Sequence, residues 1–123
     1  MNLKVILITE DEPHMRRLLE FTLGKTRQRL VMTVSGEEAL ARVQSGPVDL
    51  LVIDLGLPGM SGFETIQAIK ALPAYALLPI ILLTSRGQTD IREEATKLGV
   101  RAFLTKPFSP TELTTIAQRL LQE

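Results

Sequence analysis

Glu10, Asp11 and Glu12 stand together just after an apolar run, and Asp54 ends a second such run. Thr84 and Ser85 close a third, and Lys106-Pro107 follows a fourth. Carboxylates packed in close quarters repel and raise one another's pKa, so something positive should be shared among them. One or two carboxylates with waters completing an octahedron suit Mg²⁺, a hard cation that takes oxygen ligands. Lys106 adds a further positive charge. Such a set is arranged for a dianionic phosphoryl group. Mg²⁺ and Lys106 would neutralise its oxygens, Thr84 would donate a hydrogen bond, and one carboxylate would be the nucleophile.

That chemistry requires the four chain positions to meet, so the elements carrying them matter next. Short apolar runs cover Leu3 to Thr9, Leu30 to Val34, Leu50 to Asp54, Pro79 to Thr84 and Ala102 to Thr105. The first, third and fourth are nearly continuously apolar, as strands covered on both faces of a parallel sheet should be. The second and fifth are more mixed and read as edges. Between them lie helix-period segments with their own punctuation. One starts near Pro13, with Met15, Leu18, Leu19 and Leu23 as its apolar stripe. Another starts at Ser35 with a capping-box pattern and ends at Gly46-Pro47. A third runs from about Ser61 to Leu72, and a fourth from about Thr89 to Leu98, closed by Gly99. The last starts at Ser109-Pro110-Thr111-Glu112. Five strands alternate with five helices, which predicts an α/β fold: (βα)₅, doubly wound, a parallel five-stranded sheet of flavodoxin-like order 2-1-3-4-5. In such a sheet the residues after strands one, three, four and five converge on one edge, where a strand spacing of about 4.8 Å keeps them within reach of one small group.

Composition narrows the classes. The chain has 123 residues, 45% apolar and 23% charged, which reads as one soluble globular domain over 1–123. Fourteen basic and fourteen acidic residues cancel, so no charge excess argues for nucleic acid or an anionic membrane. No cysteine is present, which removes disulfides and thiolate chemistry and fits a reducing cytosol. Val5 to Ile8 is too brief for a signal segment or a span. A cytoplasmic protein is expected.

Glu10-Asp11-Glu12-Pro13, Asp54 to Gly62, Leu83-Thr84-Ser85 and Lys106-Pro107-Phe108 together resemble the receiver domains of bacterial response regulators, across the whole chain and in order. The resemblance implies that Asp54 is the phosphoacceptor and that Asp11, Asp54 and the Gly56 carbonyl ligate Mg²⁺, with Glu10 acting through a water. It implies that Thr84 turns inward to the phosphoryl group, that Lys106 pairs with it through a loop whose Lys106–Pro107 bond is cis, and that Phe103 swings in behind Thr84. Phosphorylation adds about 1.5 to 2 negative charges, and the implied response remodels the surface of helix four, strand five and helix five. The implied partners are a sensor histidine kinase or phosphotransfer protein and a downstream target or output domain. Helix one (Met15, Arg16, Leu19) and the loop after Lys106 are the implied kinase contacts. The chain would catalyse only its own phosphorylation and dephosphorylation, as a free-standing chemotaxis or phosphorelay regulator or as part of a longer protein. Gly56 and Arg86 fall where the family tunes phosphoryl lifetime. Val100-Arg101-Ala102 departs from the acidic pair that many transcription-factor receivers use for dimer contacts.

Each residue also has a plainer role. The acids after strand one precede a helix, whose positive dipole end favours them. Phe103 reads equally as core, and His14 as a surface residue rather than a phosphate donor. Two rival chemistries fit less well. An aspartate-nucleophile phosphatase or carboxylate-rich Mg²⁺ nuclease wants a second acid two residues after Asp54, where Gly56 stands. A flavin or nucleotide binder wants phosphate donors in the first loop, where Glu10-Asp11-Glu12 would repel one. A degenerate receiver used only for docking is disfavoured because every key position is filled.

Overall fold

The structure is a computed structural model that describes residues 2–85 and 89–123. Five parallel strands, β1 (Val5–Thr9), β2 (Arg29–Thr33), β3 (Leu50–Asp54), β4 (Ile80–Thr84) and β5 (Ala102–Thr105), pair in the order β2-β1-β3-β4-β5. The helices between and after them are α1 (Pro13–Gly24), α2 (Gly36–Ser45), α3 (Gly62–Lys70), α4 (Thr89–Lys97) and α5 (Pro110–Leu121), with one 3₁₀ turn at Pro73–Tyr75. No helix among the described residues is long and apolar enough to cross a membrane.

Strand burial follows the composition of each run. Every residue of β1, β3 and β4 is buried, whereas β2 and β5 keep exposed or half-exposed positions at the two edges. Because side chains alternate across a sheet, each central strand feeds both layers. Leu7, Leu51, Ile53, Ile80 and Leu82 pack with Ile66 and Ile69 of α3, Ala39 and Val43 of α2 and Ala95 of α4. Ile6, Ile8, Val52, Ile81 and Leu83 pack with Leu19 and Leu23 of α1 and Leu113, Ala117 and Leu120 of α5. Fully burying each such aliphatic side chain contributes about 1.5–3 kcal/mol, so the sheet is held from both sides.

The helix ends differ in detail from the sequence patterns. Ser35 and Ser109 each accept one backbone N–H, from Glu38 and Glu112, but Glu38 reaches Val34 N rather than Ser35 N. The reciprocal capping box forms instead at α3. There Ser61 Oγ accepts from Glu64 N at 3.1 Å and Glu64 Oε1 accepts from Ser61 N at 3.0 Å. At the end of α4, Gly99 has φ +81° and its N–H bonds Thr96 O, while Val100 N–H bonds Ala95 O. That is a Schellman closure, which needs a left-handed residue at this point. The stripe expected on α1 is narrower than its spacing suggests: Leu19 and Leu23 are buried, but Leu18 is 41% exposed.

Candidate functional site

Backbone bonds just beyond the ladders set the stage at the carboxyl edge of the sheet. Glu10 N–H donates to Thr33 O, Leu55 N–H to Leu83 O, and Lys106 N–H to Thr84 O at 2.7 Å. Each bond carries the parallel pairing one step past the regular strand, so Glu10, Asp54, Thr84 and Lys106 leave it together. The Lys106–Pro107 peptide is cis, as the resemblance implied. Gly62 lets α3 start close against the end of β3. A Cβ there would lie 2.7 Å from Asp54 O and 2.8 Å from Leu55 Cα, so any larger residue would push the acid's backbone aside.

Lys106 Nζ lies 2.8 Å from Asp54 Oδ1 and 3.0 Å from Glu10 Oε1, bridging two carboxylates contributed by different strands. One oxygen from each of Glu10, Asp11 and Asp54 falls within 4.8 Å of the others. Glu10 is 1% exposed and Asp54 7%, whereas Asp11 faces solvent. Burial pushes the Glu10 carboxyl above its usual value, and the Asp54 charge adds to this, against hydrogen bonds from Lys106 and the Glu12 N–H. For Lys106 burial pulls the other way, but hydrogen bonds to Asp54 and Glu10 and their negative charge outweigh it and raise its pKa. The ammonium is therefore firmly charged in neutral solution.

Three carboxylates against one ammonium leave an excess of negative charge that a divalent cation would offset. Clustered carboxylate oxygens, one of them solvent-exposed, suit a Mg²⁺ that keeps several of its waters. The residues fit that ion. Gly56 lies alongside, where an added Cβ would be 3.5 Å from Asp54 Oδ2. A cavity of about 430 Å³ opens here, lined by Asp54, Gly56, Thr84 and Lys106 and closed by Ser61, Phe63 and Ile91. A larger cavity of about 740 Å³ lies at the opposite edge among Lys4, Lys70, Lys97 and Arg101. It contains none of the clustered acids, so size alone misplaces the chemistry.

The expected residues divide clearly. Glu10, Asp11, Asp54, Gly56, Thr84 and Lys106 share one edge. Glu12 does not join them: it caps α1, accepting from His14 N and Met15 N, the plainer of its two readings. Phe103 is half-buried on β5, opposite Leu82. Strand alternation puts Thr84 on the same face as Leu82, hence on the face of Phe103. Leu19, expected as a kinase contact, is 1% exposed and packs in the core; the apolar side chains that α1 presents outward are Leu18 and Phe21. Arg86 lies outside the described residues. The sequence reading gave four further residues no role at this site: Arg16, Ser61, Phe63 and Ile91. Arg16 Nη1 donates to the carbonyls of Glu10 and Asp11 at 3.2 and 3.1 Å, holding the acidic loop by its backbone. Ser61, Phe63 and Ile91 wall the cavity; the sequence pattern marked Ser61 only as a helix start and Phe63 only as an apolar residue of that helix.

The family profile described as response regulator receiver domain matches residues 6–118. The cyclic di-GMP phosphodiesterase response regulator RpfG of Xanthomonas campestris is 36% identical over 119 residues, covering 95% of this chain and 32% of that protein. The chain spans about a third to a half of the length of most of the curated relatives it matches. Among solved structures, the chemotaxis response regulator CheY4 of Vibrio cholerae superposes with a TM-score of 0.89 at 28% identity, covering 97% of this chain and 99% of that one. The receiver domain of a sensor histidine kinase from Pseudomonas aeruginosa PAO1 also reaches 0.89 at 28% identity over 100% of both chains. That structure has a magnesium ion coordinated in its active-site cleft.

Proposed function

The chain belongs to the response regulator receiver family of two-component signalling, and from that premise we propose that Asp54 is its phosphoacceptor. The observation that carries the reading is the Lys106 ammonium spanning Asp54 and Glu10, beside the oxygen cluster of Glu10, Asp11 and Asp54. A nucleophile for phosphoryl transfer must be anionic, reachable and relieved of its charge repulsion with the incoming group. Asp54 lines the cavity, with the Lys106 ammonium 2.8 Å from its carboxylate to offset that repulsion.

Asp11, Asp54 and the Gly56 carbonyl would hold Mg²⁺ directly, with Glu10 acting through a water. When bound, the ion neutralises charge on the transferring phosphoryl oxygens. An Asp54 carboxylate oxygen attacks phosphorus of a phosphohistidine or small acyl phosphate; the bond from phosphorus to the donor breaks, and the donor leaves with its electron pair. Lys106 exchanges a carboxylate contact for a phosphoryl oxygen, and Thr84 donates its hydroxyl hydrogen to another. Drawing Thr84 over vacates space that Phe103 can fill from the same face. The surface of α4, β5 and α5 then changes. This is a population shift, and it works because the phosphoryl contacts differ between the two arrangements.

The chain catalyses only its own phosphorylation and dephosphorylation, as one receiver domain over 1–123. In this reading it acts in the cytoplasm, takes its phosphoryl group from a sensor histidine kinase or phosphotransfer protein, and passes the signal to a protein target or output domain. It contacts neither nucleic acid nor membrane itself. The test is labelling by acetyl phosphate with Mg²⁺, read on a phosphate-affinity gel. Asp54→Asn is expected to fall to background, as is the parent in EDTA. Stable, undiminished labelling of the variant refutes the acceptor, and labelling that survives chelation refutes the metal's part.

A further inference from the structure

The guanidinium of Arg92, on α4, lies 4.7 Å from the centroid of the Phe103 ring, on β5. Another cation–π contact in the molecule, Lys25 over Phe21 at 5.1 Å, is local to the end of α1. The Arg92 contact instead spans two elements of the surface through which the phosphorylation signal would leave. Its setting gives it weight. Along its length α4 buries only Ala95, so few other contacts hold this helix against the strand. Arg92 itself is exposed and makes no salt bridge among the described residues. Glu93 and Glu94, its exposed neighbours on α4, form no ion pair with it among the described residues.

We propose that Arg92 is a positioning residue of the switch, holding the Phe103 ring at the outer margin of β5 and so opposing its movement toward Thr84. The inference rests on the functional reading above. The physical argument concerns which arrangement the contact can exist in. Phe103 is half-buried where it lies under the guanidinium. A ring drawn inward beside Thr84, which is 2% exposed, would be fully covered and would leave an exposed cation behind. The attraction of the ring face for that cation therefore favours the outward arrangement alone. A contact made in only one of two states biases the equilibrium by its whole strength. For an exposed cation–π pair that bias is about two- to fivefold. By linkage, whatever favours the inward ring favours the phosphorylated site by the same factor.

The experiment measures binding of beryllofluoride with Mg²⁺, a stable stand-in for the phosphoryl group, to the parent chain, Arg92→Gln and Arg92→Lys. Each is made with Phe103 in place and with Phe103→Leu. Arg92→Gln should bind about two- to fivefold more tightly than the parent, and Arg92→Lys should stay near the parent because a cation remains. In the Phe103→Leu background the Gln substitution should change nothing. A purely structural role for Arg92 would not depend on the ring. NMR signals of the Phe103 ring should shift toward their beryllofluoride-bound positions in free Arg92→Gln. Equal affinity of Arg92→Gln and parent overturns the proposal, as does a gain that survives in Phe103→Leu. A parent that does not bind beryllofluoride, or an Asp54→Asn that still does, overturns the reading of the site itself.

Discussion

α4 and α5 flank the same edge strand from opposite faces, yet they are held in different ways. α5 buries Leu113, Ala117, Leu120 and Leu121 against the sheet and α1. α4 buries Ala95 alone and turns Arg92, Glu93, Glu94, Thr96 and Lys97 to solvent. Several large apolar contacts fix α5 far more strongly than any single polar contact could shift it. α4 lacks such contacts, and in its place sit a cation–π contact to Phe103 and the closure at Gly99. The comparison teaches that a fold can be overdetermined on one side of a strand and lightly held on the other. A switch belongs on the lightly held side, because a contact of ordinary strength decides populations only where few others compete.

Three substitutions test that contrast. The largest effect is expected from Leu113→Ala, at a fully buried position on α5. It should cost about 2–5 kcal/mol in denaturant unfolding and loosen the whole domain. Ala95→Gly removes the one buried methyl of α4 and adds backbone freedom, at a cost of about 1 kcal/mol. Its signature should be faster hydrogen exchange confined to α4 amides, with the rest of the domain unchanged. A loss as large as that of Leu113→Ala, or exchange that accelerates everywhere, would erase the distinction between the helices.

The smallest effect concerns the ion pair that ties the end of α5 to the residue before β5. Arg101 Nη1 and Nη2 donate to the two Glu123 carboxylate oxygens at 2.6 and 2.7 Å. Both groups are exposed, so screening keeps the gain slight. The Arg101 hydrogen bond holds the Glu123 carboxyl below its usual 4.5. A carboxylate lowered in the folded state adds stability that is present above the ordinary value and lost as pH falls through the lowered one. Arg101→Gln should therefore be slightly less stable than the parent at neutral pH and indistinguishable from it in strong acid. A difference that persists in acid would mean that Arg101 acts through packing and not through its charge. The same pairing occupies Arg101 within the chain, at a position where an acidic pair would stand in receivers that dimerise by that mode.

Asp54 and Thr84 were legible because each ends a nearly continuous apolar run, the mark of a buried parallel strand, and Lys106 because it directly follows the shorter, more mixed run that reads as an edge. Where a residue sat along a strand could be read from the extent of each apolar run. Side-chain type alone could not separate the three adjacent acids, because Glu10 and Glu12 carry the same side chain; only the family resemblance singled out Glu10 and Asp11. Glu12 turned out to satisfy the first N–H groups of α1, and Glu10 to lie under Lys106. The α1 stripe failed in a related way. Leu18 and Leu19 are adjacent on the helix, and only packing against α5 settled that Leu19 is the buried one.

The amino-acid order alone determined the alternation of five strands and five helices, most of their start and stop signals, and the chemical kinds gathered at the strand ends. These are local properties, set by periodicity, capping and side-chain type within a few residues. The bridge from Lys106 to Glu10, 96 residues apart, and the Arg92–Phe103 contact were decided only by the tertiary structure. Distances across strands depend on how separate segments pack, and no local rule of the chain encodes them.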